Sequence, residues 1–223
     1  MIDAQTLNLQ VAVKVDKKTE VKSLNREIQI LKRLQKKQYF CKMLDYGRLD
    51  DGRSFCVMEL LGGNLAKLQQ FEILGWRDRL LASKELLMGI KELHVSGYIH
   101  RDIKPANIAL RSTCNAGQSK WALFDFGLGR KIIGTDGVVF KERTGIGFRG
   151  SVSYASVNAH DEKDLSFHDD LWSWMYILVE LLTGMHLENT IHDKIKGFIR
   201  ILYIYLNFRN PALEIPTPKR RNQ

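Results

Sequence analysis

His100-Arg101-Asp102-Ile103-Lys104-Pro105-Ala106-Asn107, followed further along by Asp125-Phe126-Gly127, are the two stretches whose reading decides the fold. The first gathers a carboxylate, an ammonium group and a carboxamide into one short loop containing Pro105. The second sets a carboxylate next to Phe126 and Gly127, and the glycine leaves the backbone free to turn. Asp125 and Asn107 offer the oxygen donors that a hard divalent cation prefers. Either stretch alone could arise by chance; both in this order, behind a strand-like Val11-Ala12-Val13-Lys14, make a specific combination.

Outward from these loops, the hydrophobic pattern divides the chain. Val11 to Val13 form a β-type run, and Leu24, Ile28, Leu31 and Leu34 then recur at helical spacing. Ser54 to Leu61 reads as a second strand, ending where Gly62 and Gly63 allow a turn. From Trp76 to Ser96, Leu80, Leu86, Leu87, Ile90 and Leu93 make the apolar stripe of a long helix that Gly97 stops. Asp169 and Asp170 precede a helix apolar on nearly every side, from Leu171 to Leu182, which is therefore expected to be buried and to end at Gly184. Asp170 could serve only as its N-cap. The expectation is an α+β fold with a small mixed lobe over residues 1–61 and a larger, mainly helical lobe over residues 62–223.

The chain has 223 residues, 44% of them hydrophobic, enough for a well-buried core. Its net charge of +9 would suit a nucleic acid, an anionic membrane or an acidic protein, so charge alone selects no partner. The basic clusters, Lys17 to Lys37 and Lys219 to Arg221, lack the interleaved aromatics of a single-strand binder. Cys41, Cys56 and Cys114 are odd in number and far apart, indicating neither a disulfide framework nor a zinc site. Met1 to Val15 does not read as a signal peptide, and the run from Leu171 to Leu182 is too short to span a membrane and contains Glu180. These readings point to a cytoplasmic or nuclear protein without nucleic-acid or membrane partners, and to a monomer.

The two loop stretches match the signatures of the eukaryotic protein kinases. The form Lys104-Pro105-Ala106-Asn107 resembles the serine/threonine kinases, and Gly150-Ser151-Val152-Ser153-Tyr154-Ala155-Ser156-Val157-Asn158, in place of an Ala-Pro-Glu segment, resembles the casein kinase 1 group. Within that group Phe148-Arg149-Gly150, Tyr154 to His160, His168 to Ser173 and Asn64-Leu65-Ala66 are most similar to the tau-tubulin kinases. The resemblance runs from about Val11 to about Met185.

What this resemblance implies is a bilobal protein kinase-like fold, ATP with Mg2+, and transfer of the γ-phosphoryl group to Ser or Thr hydroxyls of a protein substrate. It implies Asp102 as the group that orients the acceptor hydroxyl and takes its proton, and Lys104 as the cation beside the migrating phosphoryl group. Asn107 and Asp125 become metal ligands, Lys14 the holder of the α and β phosphates, and Glu27 the carboxylate that aims it. Met58 becomes the gatekeeper, Glu59 and Leu61 the backbone partners of adenine, and Ala12 and Ala109 the roof and floor of its slot. Asp170 would brace the catalytic loop.

Three departures accompany the resemblance. No glycine precedes Lys14, the first being Gly47, so the expectation is a small lobe incomplete for want of a glycine-rich loop. Few residues follow Gly184, so the large lobe is expected to be truncated after its central buried helix, with Phe198 to Phe208 either one diverged helix or an exposed patch. Ser153 stands where the group usually has arginine, which argues against recognition of primed substrates. Thr144, Ser151 and Ser153 are hydroxyls of the activation segment to which the sequence assigns no role. An alternative to the enzyme is a kinase-like scaffold without catalytic activity that binds protein partners.

Overall fold

A computed structural model describes residues 10–17, 23–70, 73–112 and 119–184. Three antiparallel strands, β1 (Val11–Val15), β2 (Met43–Arg48) and β3 (Ser54–Glu59), form a sheet in the order β1-β3-β2. Helix α1 (Ser23–Leu34) packs on this sheet through Leu24, Ile28, Leu31 and Leu34, as their spacing predicts. Glu27 lies on the same buried face and is only 1% exposed. Lys32 and Arg33 occupy the last turn of α1, where cations complement the negative end of the helix dipole.

The chain leaves β3, and after Leu60 it enters β4 (Leu61–Asn64), which pairs with β6 (Ile108–Arg111), itself paired with β7 (Trp121–Leu123). The expected single strand from Ser54 to Leu61 is thus two strands in different sheets, and Gly62 and Gly63 lie within β4 rather than in a turn. The short helix α2 (Leu65–Gln70) and the long helix α3 (Trp76–Val95) follow. Helix α3 buries Ala82, Leu86, Gly89, Ile90 and Leu93, while Leu80, expected on the stripe, is exposed. Gly97, at φ +84°, takes the left-handed conformation that closes the helix and leads into β5 (Tyr98–Ile99). Strand β5 pairs with β8 (Arg130–Lys131), so it delivers His100 to one side of the residues that follow Asp125-Phe126-Gly127.

Helix α4 (Val157–His160) is capped by Ser156, whose hydroxyl accepts from the amide of Ala159 at 3.2 Å. Helix α5 (Phe167–Thr183) begins earlier than the apolar run suggests: Ser166 occupies the N-cap and donates its amide to Asp169 Oδ2 at 2.7 Å. Asp170 is therefore in the first turn, not the cap. Gly184, at φ +69°, ends the helix as expected. Helix α5 lies on α3, with the Trp174 indole donating to the Ser83 carbonyl at 2.9 Å and Arg79 to the Leu181 carbonyl at 3.2 Å. Ile177 and Leu181 are buried in that contact, yet Leu171 and Leu182 are exposed, so the helix is one-sided and not apolar-packed all round. No helix among the described residues is long and apolar enough to cross a membrane.

One core joins the sheet with α1 to the helical part, from Leu24, Leu31 and Cys56 through Phe40 and Phe126 to Ile90 and Ile177. Residues 39–41 attach to β7, where the Leu123 amide donates to the Tyr39 carbonyl at 2.8 Å and the Cys41 amide to the Leu123 carbonyl at 3.0 Å. The stretch Phe198 to Phe208, Met185, Cys114 and the basic cluster at Lys219 to Arg221 lie outside the described residues.

Candidate active site

Two clusters of polar side chains meet where the two parts of the fold join. The first is built on β1. Alternation along this strand exposes Val11, Val13 and Val15 and turns Ala12 and Lys14 to the other, half-buried face. The Lys14 ammonium donates to Glu27 Oε2 at 2.6 Å and to Asp125 Oδ1 at 2.8 Å. The second Glu27 oxygen accepts from the Phe126 amide at 3.3 Å. A buried carboxylate on α1 thus holds a strand lysine and the Asp125 segment together. Burial pulls the Lys14 ammonium down, but the Glu27 and Asp125 charges outweigh it and leave its pKa raised. Burial likewise raises the Asp125 carboxyl, but the hydrogen bond and charge of Lys14, with smaller help from His100 and the Gly127 amide, together outweigh it, so Asp125 stays ionised.

Asp125 itself sits at φ +64°, a conformation uncommon outside glycine, immediately before Phe126. Its ring is fully buried, edge-on to Phe40 at 5.8 Å between centroids and tilted on His100 at 5.0 Å. With that ring locked in the core, the preceding carboxylate is turned outward toward Lys14.

The second cluster lies on the loop between β5 and β6. Asn107 donates its amide nitrogen to the Asp102 carbonyl at 2.9 Å and to Asp102 Oδ2 at 3.3 Å. Lys104 pairs with Asp102 Oδ2 at 2.8 Å. Asp102 Oδ1 accepts from the Ser151 hydroxyl at 2.7 Å, and that hydroxyl accepts in turn from Lys104 at 2.8 Å. Ser151, a residue without a role in the sequence reading, is thus a fourth member of the group. The only sequence signal for it was a hydroxyl in the stretch between Asp125 and the buried helix.

The loop is held from beneath by Asp170. Its Oδ2 accepts the His100 amide at 2.8 Å and its Oδ1 the Arg101 amide at 2.9 Å, while His94 Nε2 lies 2.9 Å from Oδ2. This holds Arg101 at φ +68°, the bend that leads into Asp102. His100 is wholly buried, with Nε2 donating to the Phe124 carbonyl at 3.2 Å and Nδ1 accepting from the Asp102 amide at 3.3 Å. That pattern demands the neutral ring, and burial lowers its pKa accordingly. Burial also lowers the Arg101 guanidinium to about 10, with Arg149, Arg143, Arg130 and Arg26 pushing the same way.

The two clusters are stitched to one another through the backbone: the Phe124 amide donates to the Asn107 carbonyl at 3.1 Å, and Ile108 pairs with Leu123 in the β6–β7 ladder. Asp102, Lys104 and Asn107 are therefore direct neighbours, as are Lys14, Glu27 and Asp125. The remaining candidates lie on β1, β3, β4 and β6. Ala12 faces Met58 across the β1–β3 ladder, and Ala109 on β6 pairs with Asn64 and Ala122. Leu61 pairs with Arg111 on β6. The Glu59 carboxylate is engaged by the Lys42 amide at 2.8 Å and Arg111 at 3.2 Å, and its own amide donates to the Lys42 carbonyl at 2.9 Å.

The donor types fit a hard cation: Asn107 spends its amide nitrogen on Asp102, so its side-chain carbonyl oxygen is the atom left to coordinate, and Asp125 is ionised.

Comparison with known proteins agrees with this geometry. Residues 4–220 match the family model described as the protein kinase domain. A protein of Dictyostelium discoideum named "Probable serine/threonine-protein kinase" is 37% identical over 84% of this chain and 38% of its own length. One of Encephalitozoon cuniculi named "Probable casein kinase I homolog" is 30% identical over 71% of this chain and 49% of its own. One of Caenorhabditis elegans named "Inactive tau-tubulin kinase" is 33% identical over 59% of this chain and 49% of its own. The chain therefore spans about half the length, or less, of these relatives. A lysine–glutamate pair aimed at the Asp125 carboxylate, a braced loop carrying Asp102, and a family match across most of the sequence lead to one statement: this chain belongs to the protein kinase domain family.

Proposed function

We propose that the chain is an active protein serine/threonine kinase of the casein kinase 1 group, most similar to the tau-tubulin kinases. In this reading it transfers the ATP γ-phosphoryl group to Ser or Thr hydroxyls of a protein substrate. The observation that carries the reading is that Lys14, Glu27 and Asp125 interlock within hydrogen-bond distance, stitched by the backbone to Asp102, Lys104, Asn107 and Ser151.

Phosphoryl transfer depends on alignment and charge neutralisation more than on covalent chemistry. Lys14, aimed by Glu27, holds the inner phosphates; Asn107 and Asp125 hold Mg2+, which when bound neutralises charge on the phosphate oxygens. Asp102 orients the acceptor hydroxyl and accepts its proton, and Lys104 places a cation beside the transferring group. Ala12, Met58, Ala109 and the main chain of Glu59 and Leu61 form the adenine slot. Residues 1–61 act as the small lobe with its hinge and residues 62–223 as the large lobe of a monomer working in the cytoplasm or nucleus.

The test is phosphate transfer from radiolabelled ATP to dephosphorylated casein, beside binding of a fluorescent ATP analogue with and without magnesium. Asp102→Ala should abolish transfer and keep nucleotide binding; Asp125→Ala should lose the magnesium-dependent part of binding. A second reading, a scaffold without catalysis, draws on the similarity to a relative named inactive. A folded sample that gains no thermal stability from ATP with magnesium would favour that scaffold.

A further inference from the structure

Asp164 lies in the loop between α4 and α5, yet its side chain is only 3% exposed. Its Oδ1 accepts from Arg130 Nη1 and, at 3.1 Å, from Arg143 Nη2. Its Oδ2 accepts from the Arg143 backbone amide at 2.9 Å and from Arg143 Nε at 3.3 Å. Both oxygens of one carboxylate are thus consumed by two arginines that arrive from different places. Arg130 opens β8 and pairs with Ile99, the residue before His100. Arg143 comes from the exposed stretch that ends at Gly150 and Ser151.

The loop that carries Asp164 is itself fixed. Leu165 is buried with Ile99, Ile132, Ala155 and Ala159, and Ser166 is tied to Asp169 at the head of α5. The stretch it holds lies on the surface: Phe148 is exposed, as are Val138, Val139 and Phe140 in the hydrogen-bonded turn that precedes Arg143. A burial cost for Asp164 is offset by the two guanidinium groups, which leave its carboxyl well below the usual range.

We propose that Asp164 is a positioning residue, whose clamp on Arg130 and Arg143 holds the segment from Arg143 to Ser151 against the loop carrying Asp102 and so sets how the protein acceptor is received. The reasoning rests on the kinase reading for the word acceptor, and on geometry alone for the clamp. A bidentate Arg–carboxylate contact fixes orientation as well as distance. Arg143 is a few residues ahead of Gly150, whose backbone is wedged against the Arg101 carbonyl, and of Ser151, which reaches Asp102. Freeing Arg143 frees the approach to that wedge, while Lys14, Glu27, Asp125 and Asn107, on other elements, stay where they are.

Two measurements decide it. Amide hydrogen exchange of Asp164→Asn against the unaltered chain should show faster exchange confined to residues 134–150, with α3 and α5 unchanged. This arm needs no activity, so it judges the clamp even if the kinase reading fails. In steady-state assays Asp164→Asn and Arg143→Gln should each raise KM for casein about ten-fold, leaving KM for ATP and acceptor-free ATP hydrolysis within about two-fold. The double variant should be no worse than either single one, because both remove the same contact. Unchanged exchange over 134–150, ATP hydrolysis falling in step with casein phosphorylation, or additive losses in the double variant would each overturn the proposal.

Discussion

The Ser151 hydroxyl donates to Asp102 Oδ1 at 2.7 Å and at the same time accepts from Lys104 at 2.8 Å. One small side chain thereby orients both the Asp102 carboxylate and the Lys104 ammonium. Ser151→Ala removes the contact without adding bulk. It is expected to lower turnover about 10- to 100-fold, the scale for a misplaced reacting group, with ATP affinity unchanged. Ser151→Thr, which keeps the hydroxyl, should retain most activity. Parallel kinetics on the two variants check this, and equal losses would contradict it.

Glu27 is 1% exposed and depends on Lys14 for its countercharge. Lys14→Met strands the carboxylate, although the Phe126 amide still serves one oxygen and Lys14 itself is 41% exposed. The expected loss is about 1–3 kcal/mol in urea denaturation, the cost of leaving a buried acceptor unpaired. Lys14→Met combined with Glu27→Gln should recover part of that stability but none of the nucleotide binding.

Gly150 and Gly145 both adopt positive φ, +102° and +65°, but a Cβ on Gly150 would meet the Arg101 carbonyl at 2.6 Å, whereas at Gly145 nothing lies within 4 Å. Gly145→Ala should cost about 1 kcal/mol from the backbone alone. Gly150→Ala must also push the loop that carries Asp102. It should cost at least about 2–3 kcal/mol and most of the activity. Thermal melts and casein phosphorylation on the pair distinguish the two effects.

His100 is buried and neutral, facing Asp170, Asp102 and Asp125, and its folded pKa lies below the ordinary value. Below about pH 6.5 the unfolded chain takes up this proton and the folded chain does not, so the stability it contributes is present above that pH and lost as pH falls. Unfolding free energies at pH 7.5 and 5.5 should show this decline. His100→Gln keeps a donor and an acceptor without a titrating ring and should flatten it; an unaltered slope would place the effect elsewhere.

Some features were legible in the sequence because they depend on nearest neighbours. Helical spacing of Leu24, Ile28, Leu31 and Leu34 predicted α1 and the side of it that is buried, and Gly97 and Gly184 marked helix ends that only an easily left-handed residue can make. The spelling of residues 100–107 and 125–127 named the polar groups, because each needs a particular functional group at a particular place. Tertiary structure decided what is non-local. The run from Ser54 to Leu61 could not show that it changes sheets at Leu60, since that follows from which strand lies alongside. Ser151, Asp164 and Arg143 look like ordinary polar surface residues until chain segments far apart in sequence bring a hydroxyl to Asp102 and a carboxylate between two arginines. Residue type fixes which bonds a side chain can make, but only the folded chain, by excluding water and choosing its neighbours, determines which of them form.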